Sequence, residues 1–250
     1  MSFDWGVLGA PLVAGLLVSA THVVLGRRVL ERGIVFIDLT IAQVAALGMI
    51  MLSMSGVSDE GWQAQAAAGA AALLAAGVLA WTERRLPDVQ EALIGSLYVV
   101  AASLAILLVA HNPHGAEHFE ELLSGQILWV GFGQLWPLAI LSPPLLAVWA
   151  LWARHRPLAF YFVFAIAVML SVRVVGVFLV FATLILPALA THGLPERRGL
   201  PLGYALAAAG YALGLWLSVP LDLPAGPLVV CVLAALALGT GVVRRMLRRA

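Results

Sequence analysis

The stretch Ser171-Val-Arg-Val-Val-Gly-Val-Phe-Leu-Val-Phe-Ala-Thr-Leu-Ile-Leu-Pro-Ala188 holds a single charge, Arg173, in eighteen residues. The apolar run extends backwards as well, so that Arg173 is the only charged residue between 157 and 191. That is longer than the ~20 residues needed to cross a bilayer. It therefore reads as two short apolar elements, 157–171 and 174–191, separated by a turn at Arg173, or as one broken or re-entrant element. The rest of the chain has the same character. Of 250 residues, 62% are hydrophobic and 11% charged, against roughly 25% charged in soluble domains. In water such a chain would expose far more apolar surface than it could bury, which excludes a soluble enzyme. A net charge of +1 leaves no basic face for nucleic acid. One cysteine, Cys231, excludes a disulfide scaffold. The expected fold is all-α, a polytopic transmembrane helical bundle.

Hydropathy read against charge gives nine candidate spans: 6–25, 33–54, 64–81, 92–110, 126–152, 157–171, 174–191, 201–220 and 226–243. A broken pair near 157–191 would make the count eight. Met1–Trp5 carries no positive charge ahead of its apolar run, so the first run reads as a retained helix, not a secretory signal. Residues 1–250 read as a single transmembrane domain, with no linker and no obvious repeat. All 14 basic residues are arginines. With the N-terminus outside and spans alternating, 13 of the 14, all but Arg173, fall on the inner side. The outer loops then carry Asp59, Glu60, Glu117, Glu120, Glu121 and Asp222. The positive-inside rule reads this as N-out, C-in, in a bacterial inner membrane.

Polar residues inside apolar runs are expensive and point to function. Asp38 lies in the second run, near Thr40 and Gln43. At 100° per residue Asp38 and Gln43 are about 140° apart, so they share a face poorly. Asp38 reads either as paired with Arg28 or Arg32 or as part of a polar pathway. Arg173 and Pro187 fall at helix ends or breaks, and Pro137, Pro143 and Pro144 are expected to kink the fifth run. Broken helices within a membrane are tolerated only where they are buried or line a cavity. The outer segment 111–121 holds His111, His114, Glu117, His118, Glu120 and Glu121, a donor set suited to Zn²⁺ or Mn²⁺, though its acids equally suit the start of a helix. His22, His155 and His192 each stand alone and read as structural. Gly203, Ala207, Gly210 and Gly214, spaced by four, three and four, form a small-residue face for close helix packing, with a dimer contact as the lesser alternative. The chain has no lysine and hence no Gly-Lys-Ser/Thr phosphate loop; it has no protease or hydrolase motif either. It reads as a transport protein and not an enzyme.

Three stretches in order resemble the permease subunits of zinc/manganese-type ABC metal importers. They are Leu30–Gly48, around Ile-Asp-Leu-Thr-Ile-Ala-Gln-Val-Ala; Glu91–Tyr98 followed by Glu121–Leu128; and Ser171–Ala188, ending in Pro187-Ala188. The resemblance implies a homodimeric, lipid-embedded pore that moves Zn²⁺, Mn²⁺ or Fe²⁺ inward as substrate, with no permanently bound cofactor. It also implies a separate cytoplasmic ATPase subunit and an extracytoplasmic metal-binding protein. Carried over, it assigns metal contact to Asp38 and Gln43, supported by His111, His114, Glu117 and His118. Thr40, Arg173 and Pro187 are assigned to the pathway or its gating, and Arg154, His155 and Arg156 to ATPase coupling. Two departures stand out. Aligned without gaps, the family's usual histidine becomes Gln43 and its usual aspartate becomes Leu39, with Asp38 one place earlier, in an Asp-Leu-x-x-Ala-Gln pattern similar to one branch of the family. The cytoplasmic segment 153–157 is also short, which shifts the expected ATPase grip to 82–91 or 192–200. A transporter or channel of another class, and a non-conducting membrane scaffold, are the competing readings.

Overall fold

A computed structural model describes residues 5–54, 61–109, 127–153 and 156–247. Among the described residues there are nine α-helices and no strand. They are α1 (Trp5–Arg32), α2 (Ile37–Ser53), α3 (Trp62–Arg85), α4 (Gln90–Val109), α5 (Trp136–Leu151), α6 (Pro157–Val175), α7 (Val177–Ala190), α8 (Glu196–Leu221) and α9 (Ala225–Leu247). The all-α polytopic expectation holds, with one helix for each candidate span. Six helices are long and apolar enough to cross a membrane, while α2, α5 and α7 are shorter apolar helices. Large apolar side chains stay exposed on several of them, including Leu74 and Trp81 on α3, Val99 and Val100 on α4, and Leu238 on α9. Water would not tolerate such a surface; lipid does.

Three boundaries differ from the sequence reading. The first helix continues past residue 25 to Arg32. At 1.5 Å per residue its 28 residues reach about 42 Å, so the last turns carry Arg27, Arg28 and Arg32 beyond a hydrocarbon core of about 30 Å. The span expected over 126–152 is helical only from Trp136; two short 3-10 turns, Ile127–Trp129 and Phe132–Gln134, precede it. Gly131 and Gly133 disfavour helix there, and Pro137 suits a first turn. Pro143 and Pro144 lie inside α5. The break in the 157–191 run falls at Gly176, not at Arg173. Gly176 has φ 83° and ψ 162°, a region open in practice only to glycine, and Arg173 closes the last turn of α6.

The chain folds as two compact units. The first gathers α1, the start of α5, and α7, α8 and α9. Its centre is α7, which touches α1, α8 and α9 and buries ten of its fourteen residues. That helix rises only about 21 Å, too short to cross a bilayer unaided. The small-residue face of α8 is used within this unit. A Cβ on Gly203 would lie 2.9 Å from Val23 Cγ1, and one on Gly214 would lie 2.6 Å from Val229 Cα; one on Gly210 would strike Leu233. The face is therefore a packing surface for α1 and α9, which settles the choice against a dimer contact.

The second unit holds α2, α3, α4, the end of α5 and most of α6. Here α2 packs on α3 and α4. The alanine stripe of α3, Ala64, Ala68, Ala72, Ala75 and Ala76, is buried, and Gly48 of α2 meets α3 so closely that a Cβ would lie 2.7 Å from Ala71 Cβ. Gly69 of α3 faces Met169 Sδ of α6. On α6, Phe160 and Phe164 stack with centroids 5.6 Å apart, and both are fully buried.

Candidate translocation site

The second unit places its polar residues around the start of α2. The chain leaves α1, turns through Gly33 at φ 70°, and enters α2 with Phe36 at the N-cap position. No side chain of the cap residue itself bonds the helix. Instead Glu91 of α4 reaches across, and its Oε1 accepts the Phe36 N–H at 3.4 Å. Thr40 fastens the same two helices: its hydroxyl lies 3.0 Å from Phe36 O and 2.9 Å from Ile94 O. Gln90, at the start of α4, donates through Nε2 to Leu79 O of α3 (3.0 Å) and lies 3.2 Å from the Tyr161 hydroxyl of α6. Polar ties thus hold α2, α3, α4 and α6 around one region.

Asp38 sits in the first turn of α2 and is 1% exposed. No side chain bonds either carboxylate oxygen; the only donors beside them are the backbone N–H groups of Asp38 and Leu39. The pairing with Arg28 or Arg32 considered from the sequence is not formed, since no side chain bonds either Asp38 oxygen; Arg28 bonds Glu31 at 2.7 Å. The N-terminal end of the helix gives Asp38 favourable dipole interaction, but not the bonds that two buried oxygens require. Gln43 is also buried, and its Nε2 is unpartnered. Both side chains are buried despite their angular separation because α2 has packed neighbours on two sides. Glu91 Oε2, Gln90 Oε1 and Ser171 Oγ are further buried atoms of this unit without partners. Buried oxygens left without partners are costly in a membrane protein, and carboxylate and amide oxygens are donors suited to a hard or borderline divalent cation.

The other expected site residues are dispersed. Arg173 is exposed. Pro187 is buried in α7 of the first unit, where its carbonyl accepts the Thr191 hydroxyl at 2.8 Å. Arg156 is exposed and lies over the Trp152 ring, 5.5 Å from its centroid. His111, His114, Glu117, His118, Arg154 and His155 lie outside the described residues. Among the described residues, no three His, Cys, Asp or Glu side chains cluster as a ready metal site. Glu91 and Gln90 were missed as site residues by the sequence reading. The available signal was Glu91 at the head of a family-like motif, a carboxylate beginning an apolar run.

The stretches 82–91 and 192–200, to which the sequence reading moves the ATPase grip, both lie within the described residues. Arg84, Arg85, Leu86, Pro87, Asp88 and Val89 are exposed in succession at the corner between α3 and α4. In the first unit, the turn after α7 is clamped from two helices. Arg27 donates to Leu194 O at 3.0 Å and to the Thr191 hydroxyl at 3.4 Å. Arg244 donates to Ala190 O and to His192 O, the latter at 2.9 Å. Cations at a helix C-terminus satisfy its free carbonyls and oppose its dipole.

The family model of ABC-3, the ABC 3 transport family, matches residues 6–161 and 150–244. The chain belongs to the ABC 3 transport family. It is a multi-pass membrane permease of the bacterial inner membrane and not a member of an enzyme class, which sets aside a transporter of another class. The solved structure of PsaBC from Streptococcus pneumoniae in complex with Fab has the same fold, with a TM-score of 0.71 and 20% identity over 96% of this chain and 91% of that one. No curated protein matches the chain.

Proposed function

We propose that the chain is the permease subunit of an ABC importer that moves Zn²⁺, Mn²⁺ or Fe²⁺ into the cell. It works as one permease domain, 1–250, oriented N-out and C-in, and pairs with a second copy to complete the pore. A separate cytoplasmic subunit hydrolyses ATP, and an extracytoplasmic protein delivers the ion. No cofactor is held permanently; the metal is the cargo. The observation that carries this reading is Asp38, a buried carboxylate that no side chain bonds, in the helix that resembles the importer motif with its acid one place earlier. An intramembrane acid without a partner is retained for what passes it.

In this reading Asp38 supplies charge to the cation, Gln43 supplies a neutral amide oxygen in place of the imidazole usual in the family, and Glu91 adds a second carboxylate at the start of α2. Binding by one or two acids and a neutral donor is weak enough to release the ion. Thr40, Arg173 and Pro187 set helix geometry along the pathway, and His111, His114, Glu117 and His118 receive the ion outside. Coupling uses Arg154, His155 and Arg156 together with the exposed corner 84–89 and the clamped turn 190–195. The test is co-purification with a family ATPase, followed by ATP hydrolysis in nanodiscs with and without Zn²⁺ or Mn²⁺. A stable complex whose hydrolysis rises with metal supports the reading; a chain that binds no such ATPase refutes it.

A further inference from the structure

His22 lies in α1, in the first unit, ten residues before that helix ends. It is 0% exposed. Its Nδ1 lies 3.0 Å from Val18 O and 3.0 Å from the Thr21 hydroxyl. A carbonyl oxygen only accepts, so Nδ1 carries the proton and donates it. Thr21 directs its own proton to Val18 O, at 3.1 Å, and its oxygen is free to accept from the ring. That fixes the tautomer: Nε2 bears the lone pair, and Nε2 is buried with no partner. A histidine that donates through one ring nitrogen to a backbone carbonyl and offers the other unprotonated has the orientation found at metal sites.

The face of α1 that carries His22 is close-packed. Gly15, Ser19, His22 and Gly26 recur at four, three and four residues, so they fall within about 60° on one face of α1. The ring of Tyr211 on α8 lies against Gly15, and the backbone of Leu184 on α7 lies against Gly26. His22 stands on the stripe between them. On the facing helices, the Thr183 hydroxyl donates to Leu179 O at 2.6 Å and pairs with the Tyr211 hydroxyl at 2.8 Å. Thr183 spends its proton on the carbonyl, so Tyr211 donates to Thr183 and keeps its own oxygen lone pairs. Burying an imidazole nitrogen unbonded costs stability, and packing alone would be served better by an apolar residue.

We propose that His22 is a second intramembrane station for the transported divalent cation, binding it through Nε2 in the first unit, separately from Asp38 in the second. This rests on the metal-transport reading above. A single neutral imidazole nitrogen makes a weak transit site, the kind that passes an ion on.

The test uses the full chain in nanodiscs with its other five histidines, His111, His114, His118, His155 and His192, replaced by glutamine, so that His22 is the sole imidazole. Mn²⁺ is the probe, and pulsed EPR reads the nitrogen coupling of a coordinated imidazole. The single-histidine chain is expected to show that coupling. Adding His22→Gln removes it, while adding Asp38→Asn leaves it. In the otherwise unaltered chain, His22→Gln lowers ATP-driven uptake about tenfold with unchanged size-exclusion behaviour. Bound Mn²⁺ without imidazole coupling in the single-histidine chain, with uptake unaffected by His22→Gln, overturns the proposal and leaves the Asp38 reading standing. Failure of the unaltered chain to bind Mn²⁺, Co²⁺ or Zn²⁺ overturns both.

Discussion

Replacing Asp38 by asparagine separates a transport role from a structural one, because the two predict opposite signs for stability. The side chain keeps its size and loses its charge. Asp38 is 1% exposed and no side chain bonds either oxygen; asparagine keeps an oxygen for the adjacent backbone N–H groups, so the substitution breaks no side-chain hydrogen bond. An aspartate at the centre of a membrane helix costs about 2.5–3.5 kcal/mol on insertion scales, which sets the upper limit for Asp38 near a helix end. Its place in the first turn of α2 returns about 0.3–1 kcal/mol through the helix dipole. Asparagine is itself polar and recovers only part of the remainder, so Asp38→Asn is expected to stabilise the chain by about 1–2 kcal/mol. For a protein of this length that is a rise of roughly 2–8 °C in thermal midpoint, measured by differential scanning in nanodiscs without metal. Transport runs the other way, with uptake expected to fall at least about tenfold, or ~1.4 kcal/mol of lost cation stabilisation. Saturating Zn²⁺ or Mn²⁺, at about 100 times its dissociation constant, stabilises the parent by about 2.7 kcal/mol and the variant by much less. A lower midpoint for Asp38→Asn, or an unchanged metal response, refutes the reasoning.

Other expectations follow from particular contacts. Gly214→Val places side-chain atoms against the Val229 backbone, 2.6 Å from the new Cβ, and is expected to destabilise by about 1–3 kcal/mol in thermal aggregation assays. Arg27→Met removes bonds to Leu194 O and Thr191; it is expected to cost about 1–2 kcal/mol and to speed proteolysis between 190 and 195. Thr40→Val deletes the hydroxyl that joins Phe36 O and Ile94 O, with an expected loss of about 0.5–1.5 kcal/mol by denaturant titration. Leu86→Asp with Val89→Asp changes exposed positions. It is expected to leave the melting curve within about 0.5 kcal/mol of the parent while abolishing ATPase co-purification.

The helices were legible because span length, apolarity and arginine placement speak directly to a bilayer. Each of the nine runs holds one helix among the described residues, and the small-residue spacing from Gly203 to Gly214 correctly foretold close packing. The break in the 157–191 run was placed three residues early. Arg173 is the conspicuous residue there, yet a helix accepts arginine in its last turn; the chain breaks where only Gly176 can adopt the required backbone. Asp38 was legible as unusual, but its lack of a partner was not. Pairing depends on where side chains end in space, and Arg28 is taken by Glu31 in the same helix. His22 carried no sequence signal, since one histidine in an apolar run looks like any core histidine. Its importance lies in which nitrogen is anchored, and only three-dimensional geometry reveals that.

The most direct test of the account is ATP-driven uptake of radiolabelled Zn²⁺ or Mn²⁺ into liposomes holding the chain with its ATPase. The account predicts metal accumulation that requires ATP and the binding protein and is lost in Asp38→Asn. Uptake equal in Asp38→Asn and the parent, or none in a complex that hydrolyses ATP normally, would contradict it.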